Sequence, residues 1–151
     1  MIITPNFKRY EIFCNGKDCS SHDNYNFELI KNRMLPVLWA MEAIRAKING
    51  EFETDSIQMV VHRGWSCDER HKQIYEEQEL PVNWNSYHRF RSGGDTPCAV
   101  DFEILDRNEM IDQVDLHEHL WLDLRDTWPA GFHQYDWGFH IDTAEGGKRR
   151  W

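Results

Sequence analysis

Three widely separated residues lie in apolar, β-rich surroundings and carry side chains that bind metal ions. They are His88 in Ser-Tyr-His, Asp101 in Ala-Val-Asp-Phe, and His140 in Gly-Phe-His-Ile-Asp. Two imidazoles and one carboxylate make the three-ligand set of a catalytic zinc ion, whose fourth position stays open for water. A structural zinc is more often closed by four cysteine or histidine ligands. The sequence therefore predicts a catalytic zinc site formed by these three residues.

Asp101 is the residue that most strongly supports this prediction. Taken singly, His88 or His140 could be an ordinary core histidine whose ring nitrogens are hydrogen-bonded to other protein groups. A carboxylate inside Cys-Ala-Val-Asp-Phe is costly to bury unless it is paired or binds a metal. His133, seven residues before His140, is an alternative ligand or a residue that lines the cleft.

The elements that must position these residues can be predicted from the spacing of apolar residues. Helical spacing extends from Phe27 to Ile48, and Pro36 is expected to kink or split that helix. Further helices are expected over 68–79 and 108–126, strands over 56–62 and 99–104, and a last strand or hairpin over 132–142. Helices and strands in this irregular order indicate an α+β fold, and the length suits a single domain over 1–151.

The order of several motifs resembles one known family. Ser-x-His, Ala-Val-Asp-Phe and Phe-His-Ile-Asp-Thr follow a segment, 63–72, that is similar to Ser-Gly-Tyr-Arg-Cys-Pro-Glu-x-Asn-Lys. Before that segment, Met-Glu-Ala-Ile-Arg at 41–45 is similar to Leu-Glu-x-x-Arg. Together these motifs resemble the zinc D-alanyl-D-alanine carboxypeptidase and murein endopeptidase family. That family has the Hedgehog/DD-peptidase fold and includes many phage endolysins.

The resemblance implies a small central antiparallel sheet flanked by helices. It also implies a zinc metallopeptidase of phage or prophage type, a carboxypeptidase or endopeptidase that hydrolyses amide bonds of peptidoglycan peptides. A peptidase needs a general base, for which Asp136 is the nearest acid in sequence. Arg63 or Arg70 would bind a substrate carboxylate. Asp142 is expected to orient an imidazole, and Ser86 and Trp137 to lie around the metal or the substrate.

Three departures from the family pattern limit what the resemblance implies, and two of them, the displaced arginine and the missing acid, leave a second class of function open. His88 and Asp101 are thirteen residues apart instead of seven, which predicts an inserted loop around 92–95. Ser66 stands where the family has its arginine. Trp137 stands where many members have an acid, and Asp136 is one residue further from His140. A non-catalytic relative that binds peptidoglycan, or a structural component of a phage particle, is therefore the alternative.

Composition and charge exclude several other classes. A net charge of −9 argues against non-specific nucleic-acid binding, and the basic cluster 148–150 is expected to be a solvated tail. No stretch reaches the ~18 apolar residues of a membrane span, and the first residues do not form a signal peptide. We expect a monomer made in the bacterial cytoplasm that acts on the cell wall after release or as a virion component. Seven tryptophans either complete a core or line an aromatic groove.

The cysteines allow two interpretations. Cys14, Cys19 and His22 have spacings that can begin a small structural metal site, but the sequence does not indicate a fourth ligand. A set of reduced thiols that pack loops is the interpretation favoured for a protein kept in the cytoplasm.

Overall fold

A five-stranded sheet and the helices packed on it define the architecture. The computed structural model describes residues 3–14, 27–89 and 97–150. In chain order the elements are α1 (Arg9–Ile12), α2 (Phe27–Glu51), β1 (Ile57–Arg63), α3 (Asp68–Glu77), β2 (Ala99–Asp106), α4 (Gln113–Arg125), β3 (Gly131–Gln134), β4 (Phe139–Asp142) and β5 (Arg149–Arg150). The predicted α+β class is confirmed. Within the described residues, no helix combines the length and the apolar character needed to cross a membrane.

The sheet has the order β1-β2-β4-β3-β5 and is mixed. The first three neighbouring pairs are antiparallel, but β3 and β5 are parallel. The expectation of an antiparallel sheet is therefore wrong for this edge. The chain reverses between β3 and β4 and again between β4 and β5, so that β5 runs in the direction of β3.

Arg149 and Arg150 of the basic cluster form this edge strand, so the expectation of a solvated tail is wrong for these two residues, whereas Lys148 is exposed. Arg149 and Arg150 are half-buried. Arg150 donates hydrogen bonds to the backbone carbonyls of Trp128 and Ala130, and Arg149 pairs with Asp142. The two arginines thus satisfy acceptors that their side of the sheet leaves open.

The sheet has one apolar face and one polar face. Val100, Phe102 and Ile104 alternate along β2 with Asp101 and Glu103, and only the first three are fully buried. Because side chains alternate along a strand, the apolar set lies on one face, where it joins the core with α2 and α4. The polar face carries Asp101, and this face holds the candidate site.

Helix α2 continues as one helix through Pro36, so the expected split is wrong, whereas the alternative of a kink stays a prediction. Pro36 is exposed, whereas Met34, Val37 and Leu38 around it are fully buried. Packing of these neighbours holds the helix together even though proline removes one backbone hydrogen bond.

Candidate metal centre

A row of four residues crosses the polar face of the sheet. The backbone pairs Arg63 of β1 with Asp101 of β2, Asp101 with His140 of β4, and His140 with His133 of β3. Directly paired residues share a face and have neighbouring side chains. The two predicted ligands that lie on strands are therefore adjacent because of strand register.

A β-bulge brings Arg63 into this row. From Ile57 to Val61 the strands β1 and β2 keep one register, which would place His62 opposite Asp101. The register shifts between Val61 and Arg63, and Arg63 pairs with Asp101 instead. One extra residue in a strand re-aims the side chains that follow it. His62 turns outwards, is exposed and contacts Glu103.

His88 completes the group from a loop. Its Nε2 lies 3.2 Å from Asp101 Oδ2, and Nδ1 of His140 lies 2.8 Å from Asp101 Oδ1. One ligand atom from each of these residues lies within 4.8 Å of the others, and both histidines are buried. The three predicted ligands thus converge and can hold a metal ion.

Backbone hydrogen bonds fix the loop that carries His88. The Ser66 N–H donates to the His88 carbonyl at 2.8 Å, and the His88 N–H donates to Ser86 Oγ at 3.3 Å. His88 Nδ1–H donates to the Gly64 carbonyl at 3.0 Å. His88 Nε2 is therefore the ring nitrogen that faces Asp101, on the side where a metal would bind. The Ser86 hydroxyl thus accepts from the backbone of His88, and the Ser66 hydroxyl contacts the His88 carbonyl as well.

His140 is oriented by Asp142, as the sequence predicted from their spacing along one strand. The Nε2–H of His140 donates to Asp142 Oδ2 at 3.1 Å. The other oxygen of Asp142 accepts from the backbone N–H groups of Gly131 and Ala144 and from the guanidinium of Arg149. Asp142 is fully buried and every contact favours its charged form. A carboxylate that fixes one ring nitrogen leaves the other available to a metal.

The electrostatics of the group are those of a cation site. Burial would lower the pKa of His140, but its hydrogen bonds to Asp101 and Asp142 outweigh burial and raise that pKa to about 9. Burial would raise the pKa of Asp101, yet contacts with His140 and His88 hold it well below its usual range. Near neutral pH the metal-free ring of His140 is therefore protonated, and a bound metal displaces that proton.

The ligand atoms lie near enough to one another to bind a small divalent ion. With bonds of about 2.0–2.1 Å, neighbouring ligand atoms of a tetrahedral zinc stand about 3.3 Å apart. One ligand atom from each residue lies within 4.8 Å of the others, and the contacts of 3.2 Å and 2.8 Å go to different oxygens of Asp101. The ligands would therefore move closer together around an ion, while each imidazole keeps one nitrogen held by an acceptor.

Arg63 is held beside the metal group by His71. The Nη2–H of Arg63 donates to His71 Nδ1 at 3.1 Å, and His71 Nε2–H donates to the Asn83 carbonyl at 2.9 Å. Burial, and next the nearby charge of Arg63, lower the pKa of the fully buried His71 and keep it a neutral acceptor. Tyr75 lies under the guanidinium at 5.4 Å. Within the described part of the chain, the buried Nε of Arg63 has no hydrogen-bond partner.

The turn between β3 and β4 adds an aromatic wall. Tyr135 lies beside Asp101, and burial together with the charge of Asp101 raises the pKa of Tyr135 to about 12. Trp137 stacks on Tyr135 with ring centroids 5.1 Å apart and remains 46% exposed.

Asp136 is exposed at the tip of the same turn, and its role as the general base remains a prediction. His133 is edge-on to Tyr135 at 4.7 Å and is not part of the convergent metal group.

Three contributors to the site could not be identified from the sequence. His71 lies in a helix whose polar sequence predicts a surface element, and only its contact with Arg63 reveals a role. Tyr135 adjoins the predicted Asp136 but carries no motif of its own. Gly131 matters because a Cβ there would lie 2.1 Å from Asp142 Oδ2. For Gly131 the available signal was its position just before the last apolar strand.

The predicted cysteine cluster lies only partly within the described residues. Cys14 Sγ is 3.5 Å from Cys67 Sγ, a contact that the sequence did not indicate. Cys19 and His22, like the predicted loop at 92–95, lie outside the described residues.

No protein-family model matches the chain, and no curated protein and no solved structure matches it significantly. The family resemblance therefore rests on the sequence motifs.

Gly131→Ala is expected to weaken zinc binding about 10–100-fold, the usual effect of losing a group that orients a metal ligand. The added methyl would displace the Asp142 carboxylate and so release His140. Competition with a chromophoric chelator measures the change. Gly50→Ala is the matched control, because its Cβ would meet no atom within 4 Å. Wild-type zinc affinity in folded Gly131→Ala protein would show that Asp142 does not need its present position.

Proposed function

We propose that the protein is a zinc-dependent peptidase that hydrolyses amide bonds of bacterial peptidoglycan peptides, as a carboxypeptidase or an endopeptidase of phage or prophage type. The observation that carries the proposal is the convergence of two buried histidines and Asp101, each histidine with one nitrogen already held. Two imidazoles and one carboxylate are a ligand set of catalytic zinc, whereas closed structural sites use four ligands. The motif resemblance supplies the substrate class.

The metal ligands and the residues around them would have separate roles in hydrolysis. When bound, zinc would supply Lewis acidity, which polarises a carbonyl group and makes water a nucleophile near neutral pH. Asp142 keeps His140 in the tautomer whose Nδ1 faces Asp101. Tyr135, whose raised pKa keeps its hydroxyl protonated, is placed to donate a hydrogen bond to oxygen beside Asp101. Asp136 would accept the proton of the attacking water and return it to the leaving amine.

Arg63 is the group we assign to a substrate carboxylate. It belongs to the same cross-strand row as Asp101, and His71 fixes its guanidinium from behind. Its buried Nε has no partner among the described residues, so a donor remains for an anion. Peptidoglycan stem peptides end in carboxylates, and an arginine beside the metal would align such an end with the reacting amide. Ser66, which occupies the family's arginine position, contacts the His88 carbonyl instead.

Arg63→Lys is expected to raise KM for a peptide substrate about 10–100-fold and to leave kcat nearly unchanged. The change keeps the charge but removes the guanidinium fork, and a hydrogen bond to a charged group contributes about 1.5–3 kcal/mol. Arg125→Lys, on the exposed side of α4, is the matched control. Steady-state kinetics on a synthetic stem peptide measure both constants. An unchanged KM would remove Arg63 from substrate binding.

Incubation with purified sacculi tests the function. A peptidase releases new amino groups or free D-alanine, loses this activity after chelation and regains it when zinc is restored. Sacculus binding without any new amine, from the zinc-loaded protein and across a range of pH, would contradict the proposal.

One observation favours the alternative of a non-catalytic relative. Asp136 lies exposed at a turn tip, and the side chain that reaches Asp101 from that turn belongs to Tyr135. A protein that binds peptidoglycan, or a phage structural component, would need the metal and the aromatic wall without a base. The sacculus experiment separates the two functions, because only the enzyme changes the muropeptides.

A further inference from the structure

The indole of Trp137 is held in a fixed orientation on the polar face of the sheet, next to the metal group. Its ring stacks on Tyr135 with the two ring planes 10° apart, and the imidazole of His62 meets it edge-on with ring centroids 5.1 Å apart. Nearly half of Trp137 nevertheless remains exposed. A large aromatic ring that is fixed by its neighbours and open to the cleft offers a ligand a preformed surface at little entropic cost.

A carboxylate lies beside this indole. Glu103 follows Asp101 by two residues on β2, so both side chains project from the polar face. A Cβ at Gly138 would lie 3.3 Å from the Cα of Glu103, so the chain directly after Trp137 runs against Glu103. His62 contacts both groups, because its Nε2 is also 3.3 Å from Glu103 Oε1. Trp137 and Glu103 therefore line the same part of the cleft.

An exposed valine adds an apolar contact to this part of the cleft. Backbone pairing places Val60 of β1 opposite Glu103, so the two side chains share a face. Val60 is exposed, whereas its neighbour Met59 is buried in the core. The side chain of Glu103 is 31% exposed, and a carboxylate can accept hydrogen bonds through both of its oxygens.

We propose that Trp137, Glu103 and Val60 form a subsite for a primary ammonium group at the end of an aliphatic side chain. Ammonium groups are attracted to the face of an indole more than to that of any other aromatic side chain. The carboxylate of Glu103 would accept a charge-assisted hydrogen bond from the same group. The methylene groups that carry the ammonium would lie on Val60. The net charge of −9 also favours the approach of a cation.

The inference rests on the proposed peptidase and adds a feature of its substrate, a side-chain amine close to the amide that is cut. Tyr135 lies beside Asp101, and the centroid of Trp137 is 5.1 Å beyond that of Tyr135. An extended peptide spans about 3.3–3.6 Å per residue, so the amine would belong to a residue one or two positions from the reacting amide. A substrate that also has a carboxylate there would pair with Arg63 and Glu103 together.

Calorimetric titration of the metal-free full chain tests the proposal without hydrolysis. The probes are two synthetic stem peptides that differ in one side chain, which is lysine in the first and Nε-acetyllysine in the second. We expect the lysine peptide to bind about tenfold more tightly, because acetylation removes the cation but keeps the aliphatic chain. Trp137→Ala and Glu103→Gln should each abolish most of this preference. Trp39→Ala is the matched control, because Trp39 is an equally exposed tryptophan on α2.

The same titration separates this inference from the proposed function. Equal affinity of the wild-type protein for the two peptides, or no binding of either, would overturn the subsite whether or not a variant folds. Equal weakening of both peptides in Trp137→Ala would overturn it as well, since Trp137 would then be an apolar contact only. A preference for lysine, together with zinc-loaded protein that hydrolyses neither peptide, would support the subsite and contradict only the peptidase.

Discussion

Alanine at His88, Asp101 or His140 is expected to remove one equivalent of zinc from the purified protein and to abolish hydrolysis. Each change deletes one of three convergent ligand atoms, and the two remaining ligands cannot hold the ion at physiological zinc concentrations. Asp101→Ala should have the largest effect on the site itself, because it also removes the carboxylate that contacts both buried imidazoles. Metal analysis of dialysed protein measures the loss.

The matched control for these variants is His119→Ala. His119 is a partly exposed helix residue that pairs with Glu51 and takes no part in the site. It should keep the full zinc content. Full zinc occupancy in all three ligand variants would show that the metal is bound elsewhere.

Asp136→Asn is expected to lower the rate of hydrolysis about 10²–10⁴-fold while the protein keeps its zinc and its fold. The amide has the size of the carboxylate but cannot accept the proton of the attacking water. Because Asp136 is exposed at the tip of the β3–β4 turn, the substitution disturbs no packing. Kinetics on a synthetic stem peptide, with metal analysis in parallel, measure the two properties separately.

Asp126→Asn is the control, since Asp126 is also an exposed carboxylate but lies at the end of α4. If Asp136→Asn retains wild-type activity, Asp136 is not the base. Asp142 would then be a poor candidate for the base, because it is fully buried and both of its carboxylate oxygens already accept hydrogen bonds.

The parts of the fold that could be predicted from sequence depend on local patterns. Alternating apolar residues around Asp101 and His140 located β2 and β4, and they also placed Asp142 on the face of His140. Helical spacing located α2, but the helix does not split at Pro36, because the propensity rule ignores the buried neighbours that hold the helix together. The parallel edge strand of Arg149 and Arg150 could not be predicted, since two charged residues carry no strand pattern and the carbonyls that accept from the Arg150 guanidinium at Trp128 and Ala130 lie twenty or more positions away.

The metal ligands could be predicted because their chemistry is visible in residue types, whereas their supports depend on tertiary contacts. Arg63 faces Asp101 only through a bulge in β1, and register between strands cannot be read from one strand. Gly131 is required by a carboxylate eleven residues later, and Cys67 meets Cys14 through paired segments. His71 was hidden by the polarity of α3, although it is fully buried against Arg63.

Mass spectrometry of muropeptides digested in heavy-oxygen water is the most direct test of the proposed peptidase. The zinc-loaded protein is predicted to produce stem-peptide fragments whose newly formed carboxyl group carries one heavy oxygen, and Asp101→Ala is predicted to produce none. An unchanged muropeptide profile after incubation with the zinc-loaded, folded protein would contradict the assignment of hydrolysis to this site.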